Sequence, residues 1–357
     1  MNLLLKHTMS DEPDHHRQDG MCQMKIQETC NLVKMYENTN HRIDENSPEL
    51  LFIKAVCAGQ EVEALSFFRE RKLFSDEPPA IDTPYGRFAG LDEIRDFVKD
   101  WLQRFNAQSA YVTPVIQTIA NGRIGLEAAI NFETVDSIEQ VPMFIIADLR
   151  TPDLLDEIRI YCHFSYVPGL QAYRHPIFKA AHLEMGDPSL LTGAVREYYE
   201  ALHHVPAVDV DRIMKTFGEG CQFGGYDRKG TPVHQAADRE ELRAIYERMS
   251  LYIPRCVGMR YETIIDDGRT CIIEWVHIVS RAGQDERARI AMSGIAAYER
   301  GDNGLLCSVR ISDYAGSERT IDWSQLEISE EEAKAVNFVE VFPAGVGQKP
   351  QSSSINC

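Results

Sequence analysis

The side chains best suited to chemistry are concentrated in residues 157–166, a stretch whose pattern predicts a β-strand. Successive side chains of a strand point to opposite faces, so Arg159, Tyr161 and His163 share one face. On that face His163 could be a general acid or base, Tyr161 a proton donor, and Arg159 an anchor for a phenolate or carboxylate. The alternative is that the face lies between two sheets or in solvent, where such residues simply form pairs.

Other polar and aromatic residues add to this set. Asp82 stands at a turn just before Gly86, where it is either an acid–base group or a turn cap. His277 falls on an apolar strand face, where a lone histidine is more often a hydrogen-bonded core residue. Aromatic rings could line a ligand pocket, although any single ring is more often part of the core. The predicted catalytic residues are His163, Tyr161 and Asp82, and the predicted substrate-binding residues are Arg159, Tyr85, Trp101, Tyr198 and His277.

Motifs for cofactor chemistry are missing from the sequence. It has no phosphate-binding loop, dinucleotide fingerprint, nucleophile elbow or metal-ligand spacing. We therefore predict no cofactor and no metal, and an enzyme of this sequence would work by proton transfer alone.

The elements that must position these residues occur twice along the chain. A helical run, a turn and an apolar strand recur with the same spacing, since Glu93, Gly122 and Glu127 match Glu241, Gly268 and Glu274 at separations of 148, 146 and 147 residues. A repeat of this length indicates a duplicated domain rather than a solenoid. The two copies are expected to pack like a homodimer made from one chain.

Each copy is predicted to contain three helices followed by long antiparallel strands, which is an α+β order. Asn121-Gly122 and Asp267-Gly268 are hairpin signals, and Asp238 with Glu241 resembles a capping box. Glu127 and Glu274 lie inside matching strands, where pairing with Arg123 or Arg269 is favoured over catalysis. The predicted organisation is a polar N-terminal extension with a short helix (1–46), a first domain (47–178), a linker (179–189), a second domain (190–323), and a C-terminal helix with a disordered tail (324–357).

The composition limits which kinds of molecule the protein is expected to bind. The 37 basic and 55 acidic residues give a net charge of −18, which argues against nucleic acid or an anionic membrane as partner. No run reaches the roughly 20 apolar residues of a membrane span. Nine cysteines without a C-x-x-C pair indicate reduced thiols, so we expect a cytoplasmic protein, with further homo-oligomers left open.

The order of elements resembles the SnoaL-like or nuclear-transport-factor-2-like (ketosteroid-isomerase-like) superfamily. The resemblance rests on residues 83–86 (TPYG) and 90–97 (GLDEIRDF) in the first copy and on 194–202 (AVREYYEAL) in the second. It implies two cone-shaped α+β barrels, each a curved antiparallel sheet wrapped on helices, packed as a pseudo-dimer. The tyrosine that ketosteroid isomerases carry on the first helix corresponds to Tyr198 in the second copy and to Phe52 in the first.

The resemblance also implies a reaction class, namely cofactor-independent acid–base chemistry by a lyase or isomerase, including retro-aldol cleavage, dehydration or cyclisation. The implied substrate is a hydrophobic aromatic or polycyclic molecule, such as a lignin-derived diaryl compound, which would place the protein in aromatic catabolism. A non-catalytic ligand-binding or scaffold protein is the alternative. Aligning Gly169 with Gly316 sets Arg310 against His163, so the copies are expected to differ in their ionisable groups, with the first as the working site.

Overall fold

The computed structural model describes residues 43–68, 78–83, 86–162, 187–202, 208–226, 232–236, 238–250, 256–280, 289–313 and 319–320. All of them belong to one compact unit. The N-terminal helix predicted before residue 40 and the C-terminal helix predicted after Ser329 lie outside the described residues, as does most of the predicted linker. No helix in the described part is long and apolar enough to cross a bilayer.

The first half, residues 43–162, has three helices and four long strands as predicted, but a strand pair that the sequence did not predict precedes the third helix. Its first two helices are separated at Gly59, whose φ of 66° favours glycine. The elements are α1 (Pro48–Cys57), α2 (Glu61–Ser66), β1 (Ala80–Thr83), β2 (Gly86–Ala89), α3 (Leu91–Arg104), β3 (Ser109–Ala120), β4 (Arg123–Glu133), β5 (Ile138–Thr151) and β6 (Leu154–Cys162).

The second half, residues 187–320, has the same succession of elements. Asp238 caps its third helix by accepting hydrogen bonds from the backbone N–H groups of Glu240 and Glu241, both at 2.9 Å, as the sequence predicts. After a 3₁₀ turn (Pro188–Leu190), the elements are α4 (Gly193–Leu202), α5 (Val210–Thr216), β7 (Phe217–Tyr226), β8 (Pro232–Ala236), α6 (Arg239–Met249), β9 (Cys256–Asp266), β10 (Thr270–Ser280), β11 (Arg289–Arg300), β12 (Leu306–Asp313) and β13 (Arg319–Thr320).

Each half forms one sheet, and the strand order is the same in both. The orders are β2-β1-β6-β5-β4-β3 and β8-β7-β12-β11-β10-β9, with β13 added beside β11. The α+β class is thereby confirmed. The prediction of wholly antiparallel strands is wrong at one place in each sheet, because β1 pairs with β6, and β7 with β12, in parallel. The strands β1 and β7 lie in stretches where the sequence analysis predicts no strand.

Each half also encloses its own hydrophobic core between helices and sheet. The first core gathers phenylalanine, tryptophan and aliphatic side chains of α1, α3 and β4–β6. The second core gathers the corresponding side chains of α4, α6 and β9–β12, with tyrosine prominent among them. A third, smaller cluster joins the outer faces of the two sheets; it comprises Phe144, Ile146, Tyr161, Ile265, Ile272, Ile295 and Ala297.

The two sheets approach each other closely at Gly125 of β4. A Cβ atom added there would overlap Cδ1 of Ile272 and would touch Ile146 and Ile265 at 3.4 and 3.5 Å. The close approach of the second sheet therefore leaves no room for a side chain at this position unless Ile272 moves.

Replacing Gly125 by alanine should destabilise the protein by about 1–3 kcal/mol, the usual cost of overpacking a core. Chemical denaturation measures the loss. Gly218→Ala is the control, because its added Cβ would meet its nearest neighbour at an ordinary 3.6 Å. Equal stability of the two variants would contradict a close contact between the sheets.

Candidate functional site

Strand β6 divides its side chains between the first core and the second sheet. Ile158 and Ile160 belong to the first core, whereas Tyr161 lies in the cluster between the sheets. Arg159 and Tyr161 both contact Glu274 of β10, so the prediction that these two share one face is confirmed. The face lies between two sheets, which is the alternative that the sequence left open.

Arg159 is the centre of a buried polar cluster on this face. Its Nε donates to both carboxylate oxygens of Glu274, at 2.9 and 3.0 Å, and its Nη1 and Nη2 donate to Asp148 at 2.9 and 3.0 Å. Nη2 also donates to Thr263 Oγ1 at 3.2 Å, and the Tyr161 hydroxyl donates to Glu274. The side chain of Arg159 is 1% exposed, so these bonds replace its hydration.

The second half repeats this contact in the opposite direction. Arg310 of β12 donates to Glu127 of β4 through Nε at 2.6 Å and Nη2 at 2.8 Å, and to Glu299 through Nη1 at 3.0 Å. Ser308 Oγ accepts from the same Nη1 at 2.8 Å. One arginine of each half therefore binds a buried glutamate of the other half.

The sequence named the wrong partners for these two glutamates. Arg123 binds Asp148 at 3.0 Å, and Arg269 lies 3.8 Å from Glu299. Arg123 precedes Glu127 by four residues on one strand, a distance of about 13 Å at 3.3 Å per residue, which is too far for an ion pair.

The predicted match between Arg310 and His163 is also wrong. Arg159 pairs across β5 with Ile146, and Arg310 pairs across β11 with Ala297, the corresponding position of the other sheet. Arg310 is therefore the counterpart of Arg159. The two halves share this arginine instead of differing there.

Asp82 lies at the edge of the same cluster. Its backbone pairs with that of Arg159, and its carboxylate is 3.8 Å from Arg87 of β2. Arg87 in turn binds Glu157 at 3.0 Å, and Glu157 accepts from Arg159 at 3.3 Å. The predicted residues Asp82, Arg159 and Tyr161 are thus brought into one network of ion pairs and hydrogen bonds.

Electrostatics favours the charged states of Asp148 and Arg159 in this network. Burial opposes ionisation of Asp148, but the guanidinium groups of Arg159 and Arg123 outweigh it and lower the pKa of that carboxyl. Burial also opposes the charge on Arg159, yet Asp148, Glu274 and Glu157 raise its pKa well above the usual value. A network that holds its charges this firmly is suited to fixing the two sheets together.

The second core contains a different polar feature, a cluster of buried tyrosines. Tyr198 and Tyr199 come from α4, Tyr246 from α6 and Tyr298 from β11, and all are at most 3% exposed. The Tyr246 hydroxyl donates to that of Tyr198 at 3.0 Å, and the hydroxyls of Tyr199 and Tyr298 are 2.9 Å apart. The ring centroids of Tyr198 and Tyr298 are 5.3 Å apart, which joins the two pairs into one tyrosine cluster.

These phenols are neutral donors at physiological pH. Burial raises the pKa of Tyr198 to about 12, although its hydrogen-bonded neighbours oppose the change. Burial likewise raises the pKa of Tyr199, Tyr246 and Tyr298 well above 10. Each phenol has one proton, so a hydroxyl that accepts a bond still has its own proton to donate. Neutral donors in a dry interior can stabilise an oxygen on which negative charge develops.

The first core lacks this polar lining. Its helix α1 carries Phe52 where α4 carries Tyr198, and Phe52 packs edge-on against Phe68 at 5.2 Å. Trp101 is 1% exposed and packs between Phe97 and Phe105, at 5.2 and 5.1 Å. Predicted binding residues Trp101 and Tyr198 thus lie in separate cores.

The structure describes the remaining predicted residues only in part. His163 and Tyr85 lie outside the described residues. The backbone of His277 pairs with Met259 and Met292, and its side chain is not among those described. In the described part of the chain, no three His, Cys, Asp or Glu side chains are grouped to hold a metal ion.

Sequence reasoning missed the contribution of Tyr246 and the role of Glu274 as a shared acceptor. Tyr246 is 48 residues from its partner Tyr198, and Glu274 is 115 residues from Arg159. No local spacing signals contacts at such separations. The matched positions of Glu127 and Glu274 in the repeat were the one available indication.

Glu49 of α1 is a buried acid outside both features. Ser47 Oγ and Gln117 Nε2 donate to its Oε1 at 2.7 and 2.5 Å, whereas its Oε2 has no hydrogen-bond partner among the residues that the structure describes. Burial raises the pKa of Glu49, and the two hydrogen bonds oppose that change only in part. The folded state therefore favours the protonated acid.

Breaking the cluster around Arg159 should be costly. Arg159→Met leaves Glu274 and Asp148 buried without their main partner, so we expect a loss of about 3–5 kcal/mol in the free energy of unfolding. Urea denaturation gives this value. Arg196→Met, which removes an exposed pair with Glu200, should cost less than about 1 kcal/mol. Similar losses in both variants would show that the buried cluster does not hold the sheets.

Glu49→Gln should change how stability depends on pH. In the unfolded chain Glu49 ionises near its usual pKa of about 4.3, whereas the folded protein keeps the proton to higher pH. This residue therefore contributes a stability that falls as pH rises above about 4.3, and the glutamine variant lacks that fall. Urea denaturation from pH 4 to 8 tests this. Glu63→Gln, at an exposed position, should keep the wild-type pH dependence.

Comparison with known proteins gives only distant structural likenesses. No family model and no curated protein matches this chain. A protein with a ketosteroid isomerase-like fold from Catenulispora acidiphila, in complex with trimethylamine, is 16% identical over 35% of this chain and 95% of its own, with a TM-score of 0.28.

Two further solved structures are similar at the same level. A putative SnoaL-like polyketide cyclase from Shewanella putrefaciens is 10% identical over 36% of this chain and 86% of its own, with a TM-score of 0.28. An NTF2-like protein of unknown function from Cytophaga hutchinsonii is 12% identical over 35% and 94%, with a TM-score of 0.25. Likenesses of this size do not assign the chain to a family.

Proposed function

We propose that this chain is two tandem copies of the nuclear-transport-factor-2-like fold, packed as a pseudo-dimer. In this proposal its second half binds a hydrophobic aromatic or polycyclic molecule and acts on it as a cofactor-independent lyase or isomerase. The observation that carries the proposal is the tyrosine cluster, four hydrogen-bonded phenols in an otherwise apolar core.

The tandem arrangement is supported by topology within this chain. Both halves have two helices, a strand pair, a third helix and four further strands, and the two strand orders correspond position by position. Their outer sheet faces pack together through a shared apolar cluster and two reciprocal arginine–glutamate contacts. Reciprocal contacts are typical of an interface between two equivalent subunits.

The choice of the second half rests on the contrast between the two cores. A core of Phe and Trp rings offers mainly apolar contact area, with the indole N–H of Trp101 as a single donor, whereas four phenol hydroxyls can orient a polar group of the ligand. Tyr198 supplies such a hydroxyl on α4, and Phe52 cannot supply one on α1. We therefore assign the ligand to the second half, although the sequence favours the first.

The chemistry follows from what neutral phenols stabilise. A carbonyl or phenol oxygen of the substrate would accept from the tyrosine cluster, and negative charge would grow on that oxygen as a proton or fragment leaves the neighbouring carbon. This step is common to isomerisation, dehydration and retro-aldol cleavage, including that of a lignin-derived diaryl compound. As the base we propose Asp227, which precedes Gly230 in the sequence after β7 as Asp82 precedes Gly86 in the first half, and which lies outside the described residues.

A ligand-binding protein without catalysis is the second candidate, and one observation favours it. The fully buried carboxylates in the described part of the second half, Glu274 and Glu299, both accept hydrogen bonds from arginine at the sheet interface. Neither is a free base for substrate. If Asp227 supplies none either, the cluster would bind an oxygen-bearing ligand and leave it unchanged.

Binding of 2-naphthol, a fluorescent bicyclic phenol, tests the assignment of the ligand. We expect Tyr198→Phe to weaken binding about tenfold, which corresponds to one hydrogen bond of about 1.4 kcal/mol. Fluorescence titration measures the dissociation constant. Tyr111→Phe is the control, because Tyr111 lies on β3 and is 47% exposed. Equal affinity in Tyr198→Phe and wild type would contradict the assignment.

Turnover of a panel of steroid, polyketide and lignin-dimer substrates without added cofactor separates the two candidates. Product formation that Asp227→Asn abolishes supports an enzyme, and naphthol binding without any product supports a binding protein. The double variant His163→Ala with Asp82→Asn serves as the comparison. Loss of turnover in the double variant, with Tyr198→Phe fully active, would return the site to the first half.

A further inference from the structure

A β-bulge interrupts β9 at the point where it faces the first half. Thr263 pairs with Glu274, but the next position of β10, Trp275, pairs with Tyr261, so Glu262 is an extra residue in β9. A bulge changes the direction in which the flanking side chains point. Side chains two residues apart on a regular strand share a face.

Tyr261 and Thr263 do not share a face. Tyr261 is 2% exposed in the second core, where its ring stands edge-on to Tyr199 at 5.5 Å. Thr263 points the other way and accepts a hydrogen bond from Arg159 in the cluster between the sheets. The extra residue Glu262 is thus what turns Tyr261 toward the tyrosine cluster.

Arg159 contacts both strands at this bulge. Its Nε donates to Glu274 on β10 at 2.9 Å, and its Nη2 donates to Thr263 on β9 at 3.2 Å. Glu274 and Thr263 pair with each other next to the extra residue Glu262. One rigid guanidinium group with fixed donor directions therefore binds both of them.

We infer that Arg159 is a positioning residue for the site in the second half, because it holds the bulge that aims Tyr261 at the tyrosine cluster. This inference rests on the function proposed above. In this inference the first half contributes to a site that its own side chains do not line. The inference also explains why an arginine of the first half binds side chains on two strands of the second half.

The first half provides an internal comparison. It has a bulge at the matching place, where Ile116 pairs with Glu127 and Pro114 pairs with Ala128. Ile116 occupies the position of Thr263 and has no hydroxyl that Arg310 could bind. The second half, in which tyrosines fill the core behind the bulge, therefore has a hydroxyl that lets the interface arginine bind both strands. The first half has no hydroxyl at the matching position.

Thr263→Val is the test, because it removes the hydroxyl and keeps the shape and the strand preference of the side chain. Ser308→Ala is the matched control, since it removes one buried hydroxyl contact from the other interface arginine, on β12 instead of β9. We expect Thr263→Val to weaken 2-naphthol binding at least fivefold and to change the near-ultraviolet circular dichroism of tyrosine. Ser308→Ala should leave both within twofold of wild type, and Thr263→Ser should restore both.

Two readouts keep the outcomes distinct. If wild type does not bind 2-naphthol, the proposed site fails, and the tyrosine dichroism alone decides whether the bulge positions Tyr261. If Thr263→Val and Ser308→Ala change both readouts equally, the inference is overturned. Should Thr263→Val not fold, Arg159→Lys replaces it, because lysine keeps the charge but cannot bridge both strands in one plane. Wild-type dichroism and affinity in Arg159→Lys would also overturn the inference.

Discussion

The reciprocal arginine–glutamate contacts between the two sheets are the constraint on which the rest of the structure depends. A buried arginine is tolerated only if its donors are satisfied, and Arg159 meets this condition with Asp148, Glu274 and Thr263 together. Because the partners come from both halves, the sheets cannot slide past each other without leaving a charge unpaired. Hydrophobic contacts such as those of Ile272 add area, whereas the ion pairs and the hydrogen bonds beside them also specify the register.

Residues close in sequence made much of the fold predictable. The positive φ values of Asn121 (53°) and Gly122 (73°) match the hairpin signal, and Asp238 caps its helix as expected. Strand alternation correctly grouped Arg159 with Tyr161. Alternation cannot say which face is inside, however, because both faces of β6 are buried in this protein.

The comparison of the two halves failed for a different reason. The connection from β4 to β5 has four residues (134–137), whereas that from β10 to β11 has eight (281–288), so the spacing of the repeat changes after those turns. An alignment that keeps one spacing to the end sets Arg310 against His163. The hydrogen-bonded register of the two sheets instead identifies Arg159 as the counterpart of Arg310. Contacts between halves, such as Tyr161 with Glu274, had no signal within a single strand.

The crossing of the two arginine contacts has a consequence for synthesis of the chain on the ribosome. Glu127 is made 183 residues before Arg310, and Arg159 is made 115 residues before Glu274. The first half thus emerges with a glutamate and an arginine on its outer sheet face whose partners in the second half do not yet exist. Contacts of such long separation form slowly, so this face stays hydrated until β10 and β12 arrive. Final docking of the sheets must therefore be a late step, completed only after nearly the whole second half has left the ribosome.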